Sequence, residues 1–365
     1  MNKHRFSQGT LQITPPFGKT IWLTLIFLFF LGGTAEGLAR SEFFEALLTP
    51  PKMGSAHYQL GHKLTLLDEF VEKNGSVDCV AIGSSMVDVG FNPDSFQKGY
   101  REVAGRDIRC FDFGIDASTA ASAAALAKIL VEDYHPRFLI LGTDARDYAV
   151  PSTDRDPAVI LESPWIRYRQ GDFSLQGWLL EHSYLYRYRQ HFGRLMRLNF
   201  EGTLQAETKL NFPILSNGYS PINKVATYIN RAPDPEDPSF EVTYYTSIYS
   251  SYEMLDENLA ALGSMMSFNK STTQVVVLEM PVSDGLYYFF GHGKTDYNKF
   301  VSQVGALANL YHVPFWRTEP IDLIPDDGWS DYSHLNTKGA EIFSVWLGRQ
   351  VAEAENQGTI EISHP

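Results

Sequence analysis

Five short apolar runs punctuate the chain, at 77–82, 108–113, 138–141, 274–279 and 313–316. Each is mostly apolar along its length rather than alternating, the pattern of strands covered on both faces in a buried parallel sheet. Between them lie longer segments able to form helices: roughly 94–104, the alanine-rich 117–134, and 296–310. Strand and helix therefore alternate, which predicts an α/β, doubly wound parallel sheet. The rhythm breaks from about 150 to 270, where Trp165, Tyr168, Trp178, Tyr184, Tyr245 and Tyr249 mark an aromatic-rich insertion. Aromatics at helical spacing point first to packing, although an insertion over the sheet's carboxyl edge would also shape a substrate groove.

The N-terminal pattern is different. Lys3, Arg5 and Lys19 precede an uncharged apolar stretch that runs from Thr20 to Ala35. Basic residues before such a stretch predict a cytoplasmic N-terminus and a translocated remainder. The expected organisation is a cytoplasmic segment at 1–19, a transmembrane anchor at 20–39 and a stalk with leading helices at 40–74. A domain at 75–355 follows, interrupted by the insertion, and 356–365 forms a tail. Gly33-Thr34-Ala35 also offers a small-residue cleavage site, so secretion after signal cleavage is the competing reading. Both place the main domain outside the cytoplasm.

Composition narrows the classes further. A net charge of −13 over 365 residues argues against nucleic-acid binding and broad adhesion to anionic lipid. Only Cys79 and Cys110 are present, each in a predicted interior strand, so a disulfide scaffold is excluded. Arg167, Arg169, Arg187, Arg189, Arg194 and Arg197 concentrate positive charge in the insertion, either as a solvated helix face or as a patch for an anionic polysaccharide. His182 and His191 fall in the same region. His292, in Gly-His-Gly, has no neighbours at metal-ligand spacing, and no metal or organic cofactor is expected.

Two segments carry candidate chemistry: Val-Ala-Ile-Gly-Ser-Ser at 80–85 and Asp-Tyr-Ser-His-Leu-Asn at 331–336. The first launches a serine from the end of a strand, into the crevice where open α/β sheets bind ligands. The second supplies a histidine able to take up its proton near neutral pH, and an aspartate to orient that histidine. Asp326 and Asp327 are alternative carboxylates for that role.

Four blocks then fall in order: Gly83-Ser84-Ser85, Phe113-Gly114-Ile115, Leu141-Gly142-Thr143-Asp144 and Asp331-Tyr332-Ser333-His334. This order resembles the SGNH (GDSL-like) hydrolase superfamily. The resemblance implies a flavodoxin-like three-layer sandwich and the cleavage or transfer of ester-linked acyl groups. It implies Ser85 as nucleophile, His334 as general base and Asp331 as orienting carboxylate, with backbone N–H groups of Ser85 and Gly114 facing the oxyanion. Two positions depart from the pattern. Ser84 stands where an aspartate usually precedes the nucleophile, and Asp144 stands where an asparagine amide usually donates to the oxyanion. An ionised carboxylate accepts only, so Asp144 would have to be protonated, turned toward Arg146, or replaced by Thr143. With its anchor, the chain resembles membrane-bound SGNH-like proteins of envelope polymer acylation. That implies an acylated carbohydrate polymer as substrate and a membrane-bound O-acyltransferase as partner. A degenerate module that binds polymer or scaffolds such an acyltransferase is the rival reading.

Overall fold

The computed structural model of the chain describes residues 15–41, 57–195, 213–234, 239–270, 272–318 and 322–362. Five parallel strands form one sheet: β1 (Cys79–Gly83), β2 (Cys110–Gly114), β3 (Phe138–Thr143), β4 (Gln274–Glu279) and β5 (Phe315–Trp316). Their order is β2-β1-β3-β4-β5, the flavodoxin-like arrangement. Because the chain leaves β1 toward β2 and then crosses back to β3, a crevice opens at the carboxyl ends of β1 and β3.

The helices follow in chain order. The first is α1 (Pro15–Ala39), then α2 (Tyr58–Asn74), α3 (Ser85–Gly90), α4 (Pro93–Ala104), α5 (Ala120–Tyr134) and α6 (Arg146–Ala149). The insertion adds α7 (Arg155–Leu161), α8 (Pro164–Arg169), α9 (Leu175–His182), α10 (Tyr184–Leu195) and α11 (Phe240–Tyr249). The last three are α12 (Asp256–Met266), α13 (Lys294–Leu310) and α14 (Thr337–Asn356). Local chemistry sets several of their ends. Asn92 accepts from the N–H groups of Asp94 and Ser95 to start α4, and Asn336 accepts from those of Lys338 and Gly339 to start α14.

Alternate residues of each strand feed two cores. Val80, Ile82, Leu139, Leu141, Val275 and Val277 pack beneath α2, α5, α12 and α13. Cys79, Ala81, Phe138, Ile140, Val276 and Leu278 pack against α4 and α14 on the other face. The result is a three-layer sandwich, and the nearly continuous apolar strands follow from covering both faces. Cys79 and Cys110 are register partners on β1 and β2, both buried and both free thiols.

Two boundaries differ from expectation. α12 lies inside the stretch assigned to the insertion, yet it packs on α5 as part of the sandwich. Its Asn258 accepts from the Ala121 N–H and donates to the carbonyls of Tyr148 and Val150. The insertion therefore ends near residue 250. It also covers the open edge of β2: Asp112 donates its N–H to the Asn217 carbonyl at 2.9 Å, so the exposed ladder of that edge strand is partly closed. Toward the N-terminus, α1 starts at Pro15, inside the segment expected to precede the span. Its stretch Gly18–Ala39, 22 residues, is long and apolar enough to cross a membrane. At 1.5 Å per residue that is about 33 Å, against a hydrocarbon core of about 30 Å. Residues 42–56 of the expected stalk lie outside the described residues.

Candidate active site

The first wall of the site is the turn from β1 into α3. Gly83 ends the strand where a Cβ would meet the Gly142 carbonyl oxygen of β3 at 2.4 Å. No larger residue fits there, so the chain turns directly into α3 with Ser84 as its N-cap and Ser85 as its first residue. Ser84 is buried, while Ser85 is half-buried and reaches the crevice.

The second wall is the loop before α14. Ser330 donates its backbone N–H and its hydroxyl to the His334 carbonyl, at 2.8 and 3.1 Å, closing a tight turn around Asp331–His334. Tyr332 holds that turn down: its ring packs against Tyr228 and Phe289, and its carbonyl accepts from both the N–H and the hydroxyl of Ser283. The loop thereby faces the end of β1, although 249 residues of sequence separate His334 from Ser85.

Ser85 Oγ lies 2.7 Å from His334 Nε2, and His334 Nδ1 lies 2.8 Å from Asp331 Oδ2. Asp331 Oδ1 accepts the backbone N–H groups of Ser333 and His334, both at 2.8 Å. The insertion adds Tyr245 of α11, whose hydroxyl reaches Asp331 Oδ1 at 3.3 Å and pairs with Ser333 Oγ at 2.6 Å. Burial pushes the Asp331 carboxyl up, but His334 and the two N–H donors outweigh it and hold the group at about 2. Burial lowers His334, and Asp331 overcomes that loss, so the imidazole sits above its ordinary value. Asp116 and Asp144 push it in the same direction. The arrangement can take a proton from Ser85 Oγ and hold the resulting imidazolium.

Asp326 and Asp327 are turned elsewhere. Asp326 accepts from Asn230, and Asp327 pairs with Lys338.

Gly114 does not offer its N–H to the crevice, contrary to expectation. That N–H donates to Asp112 Oδ1 at 2.7 Å, two residues back along β2. The glycine is required for another reason: a Cβ there would meet the Asp88 backbone nitrogen at 2.1 Å, so β2 and α3 approach closely at this point.

The third block forms a buried carboxylate pair. Asp144 and Asp147 each accept the other's backbone N–H, at 3.1 and 3.2 Å. Burial pushes both carboxyls up, against the pull of Arg146. Ser84, in the position where the resemblance leads one to expect an aspartate, donates its hydroxyl to Asp147. Thr143 is committed to Tyr148, to which its hydroxyl donates at 2.7 Å. Arg146 reaches across the crevice to the β2–α5 loop, donating to the Ser118 carbonyl at 2.9 Å and the Ala117 carbonyl at 3.4 Å. Ala117 there holds a left-handed backbone, φ 56°, in a short stretch that sequence reasoning left unremarked.

Beneath Ser85 lies a charged cluster that sequence reasoning also missed. Lys63 of α2, fully buried, places Nζ 2.5 Å from Asp88 Oδ1 and 3.5 Å from Asp112 Oδ1. Gln59, one turn earlier, donates to Asp88 Oδ2 at 2.8 Å and accepts the Asp116 N–H at 2.6 Å. Burial pushes the Asp112 carboxyl well up. Its sequence signal was a lone acid inside an apolar strand, Phe111-Asp112-Phe113.

The arginines of the insertion have internal partners. Arg169 pairs with Asp133, Glu132 and Glu181; Arg167 pairs with Asp172; and Arg187 donates to the Leu180 and Glu181 carbonyls. Arg189 stacks on Tyr186. His191 and Arg194 lie at the end of α10, and Arg197 lies outside the described residues. His292 is largely exposed and faces Asp296 at 3.1 Å. Among the described residues no group of three or more His, Cys, Asp or Glu is placed to hold a metal ion.

No family model matches the chain, and no curated protein matches it. Among solved structures, the native M. smegmatis aryl esterase aligns at 12% identity with a TM-score of 0.33, covering 76% of this chain and 99% of that one. Its inhibitor-bound form aligns over the same shares at 12% identity and a TM-score of 0.32.

Proposed function

We propose that the protein is an SGNH-like serine esterase or O-acyltransferase, held at the membrane by α1 with its main domain outside the cytoplasm. Its substrate would be an acylated carbohydrate polymer of the envelope. The observation that carries the chemistry is the unbroken hydrogen-bond chain from Ser85 Oγ through His334 to Asp331 at the carboxyl end of β1. In this reading Ser85 Oγ attacks the acyl carbonyl as His334 Nε2 takes its proton, and Asp331 stabilises the imidazolium. His334 returns the proton to the departing sugar oxygen. Water or a second sugar hydroxyl then releases the acyl group from Ser85, with His334 again acting as base. A membrane-bound O-acyltransferase is the partner that fits the transfer branch.

The oxyanion would meet the N–H of Ser85 and a protonated Asp144. A buried carboxylic acid donates one O–H, as the amide of an asparagine donates one N–H, and burial raises Asp144 toward that form. The occupied N–H of Gly114 favours the second reading, a polymer-binding or scaffolding module with a weakened oxyanion side. Labelling with a fluorophosphonate probe separates the two. The wild-type chain should be labelled and Ser85→Ala should not; equal labelling of both would remove Ser85 as nucleophile.

A further inference from the structure

The last turn of α1 is bolted to the corner between α9 and α10. Glu36 accepts the backbone N–H groups of Tyr184 and Leu185, at 2.8 and 3.2 Å, and the Ser183 hydroxyl at 2.7 Å. Arg40 donates to the His182 carbonyl at 2.6 Å, and its guanidinium lies 4.8 Å over the Tyr184 ring. Around this joint the insertion leaves apolar side chains uncovered. Phe173 is 75% exposed and Leu175 64%, with Trp178 and Leu185 also exposed. They are continuous with the joint: His182 packs against Trp178 at 5.1 Å and against Tyr168 at 6.2 Å, and Tyr168 packs against Phe173 at 6.3 Å.

A helix that crosses the hydrocarbon ends at the headgroup layer, so whatever is fixed to its final turn lies at that depth. Trp, Tyr, His and Arg around exposed Phe and Leu match the composition of that layer, with apolar groups reaching the acyl chains and polar tips remaining in water. We infer that the α9–α10 corner is a lipid-contacting foot, seated in the headgroup–acyl boundary of the bilayer that α1 spans. The contact is apolar and local, which agrees with a chain of net charge −13 that has no general attraction to anionic lipid. The inference rests on α1 being an uncleaved anchor.

The test uses the full chain in lipid nanodiscs, with an environment-sensitive fluorophore on one introduced cysteine at a time; Cys79 and Cys110 are buried. Leu175→Cys and Phe173→Cys probe the foot, and Ile26→Cys probes the anchor. Phosphatidylcholine brominated near the carbonyl should remove about half the emission at 173 and 175, as expected for shallow burial, while aqueous iodide quenches them little. Quenching at 26 together with free iodide access at 173 and 175 would overturn the foot and leave the anchor standing. No lipid quenching at 26 would overturn the anchor and the foot together. Shielding of 173 and 175 from both quenchers would assign the surface to a protein partner, which also overturns the inference.

Discussion

Replacing Asp331 with asparagine perturbs the proposed base without changing its shape. In the structure Asp331 Oδ1 accepts two backbone N–H groups and Oδ2 faces His334 Nδ1. An amide in the same place must keep its oxygen on the two N–H donors, because its NH₂ would meet them donor to donor. The NH₂ then points at His334 Nδ1, which must become an acceptor, and the ring proton moves to Nε2. Nε2 thereafter donates toward Ser85 and cannot accept from it. The same carboxylate-to-amide change in a serine protease costs about 10⁴ in kcat. At 1.36 kcal/mol per decade that is about 5.4 kcal/mol of barrier. Hydrolysis of p-nitrophenyl acetate by the full chain in detergent, followed over about pH 5 to 9, would measure it around the histidine's working range. The wild type should lose kcat/KM on the acid side with a midpoint above 6.5, since His334 is raised from that value and acts only when neutral. Asp331→Asn removes the largest raising influence, so its residual activity should fall off at lower pH. The sign for stability follows from the same shifts. The raised His334 stabilises the fold below its unfolded value of 6.5, and that contribution is lost as pH rises through its folded value. Asp331, held near 2, stabilises it above 3.8, and that contribution is lost as pH falls toward 2. A variant retaining more than about a tenth of wild-type kcat, where a working triad loses about 10⁴, would refute the base assignment.

The oxyanion and support sides are tested separately. If Asp144 donates a hydrogen bond, Asp144→Asn should keep kcat within about tenfold while Asp144→Ala loses about 10²–10³; equal loss in both would exclude a donor role. Lys63→Met leaves Asp88 and Asp112 buried without their cation, and should lower unfolding stability by about 3–5 kcal/mol in a denaturant titration, with Lys63→Met/Asp88→Asn recovering part of it. A Lys63→Met variant as stable as wild type would mean that the cluster is solvated.

The strands were legible because both of their faces are covered, which writes a nearly continuous apolar run into the sequence. Ser85, Asp331 and His334 were legible because each stands at a fixed offset from such an element. What the sequence left hidden depends on side-chain direction. Gly114 reads as a donor until Asp112, on the same strand, is seen to accept its N–H. The arginines of the insertion read as a patch until Asp133 and Glu181, on α5 and α9, are seen to pair with Arg169. The end of the insertion was placed too late because α12 follows an aromatic segment without a break in composition, and only its packing on α5 assigns it to the sandwich.

The cluster around Lys63 explains how a six-residue helix can hold a nucleophile in place. α3 is too short to be stable through its own hydrogen bonds, so its position has to come from outside. Asp88 supplies it: one turn beyond Ser85, its carboxylate receives Lys63, Gln59 and the hydroxyl of Ser220. Gln59 also holds the Asp116 N–H, and the Asp116 carbonyl faces His57 at 3.1 Å, so α2 grips both the nucleophile's helix and the β2–α5 loop. With burial pushing Asp112 toward its neutral form, Lys63 and Asp88 balance each other and the sandwich interior carries little net charge at that point. A buried ion pair adds little stability compared with apolar packing, but its directed bonds allow fewer alternative placements than a greasy contact would. Retaining it directly under Ser85, where the 2.7 Å bond to His334 leaves little room for error, fits a requirement for position more than for stability.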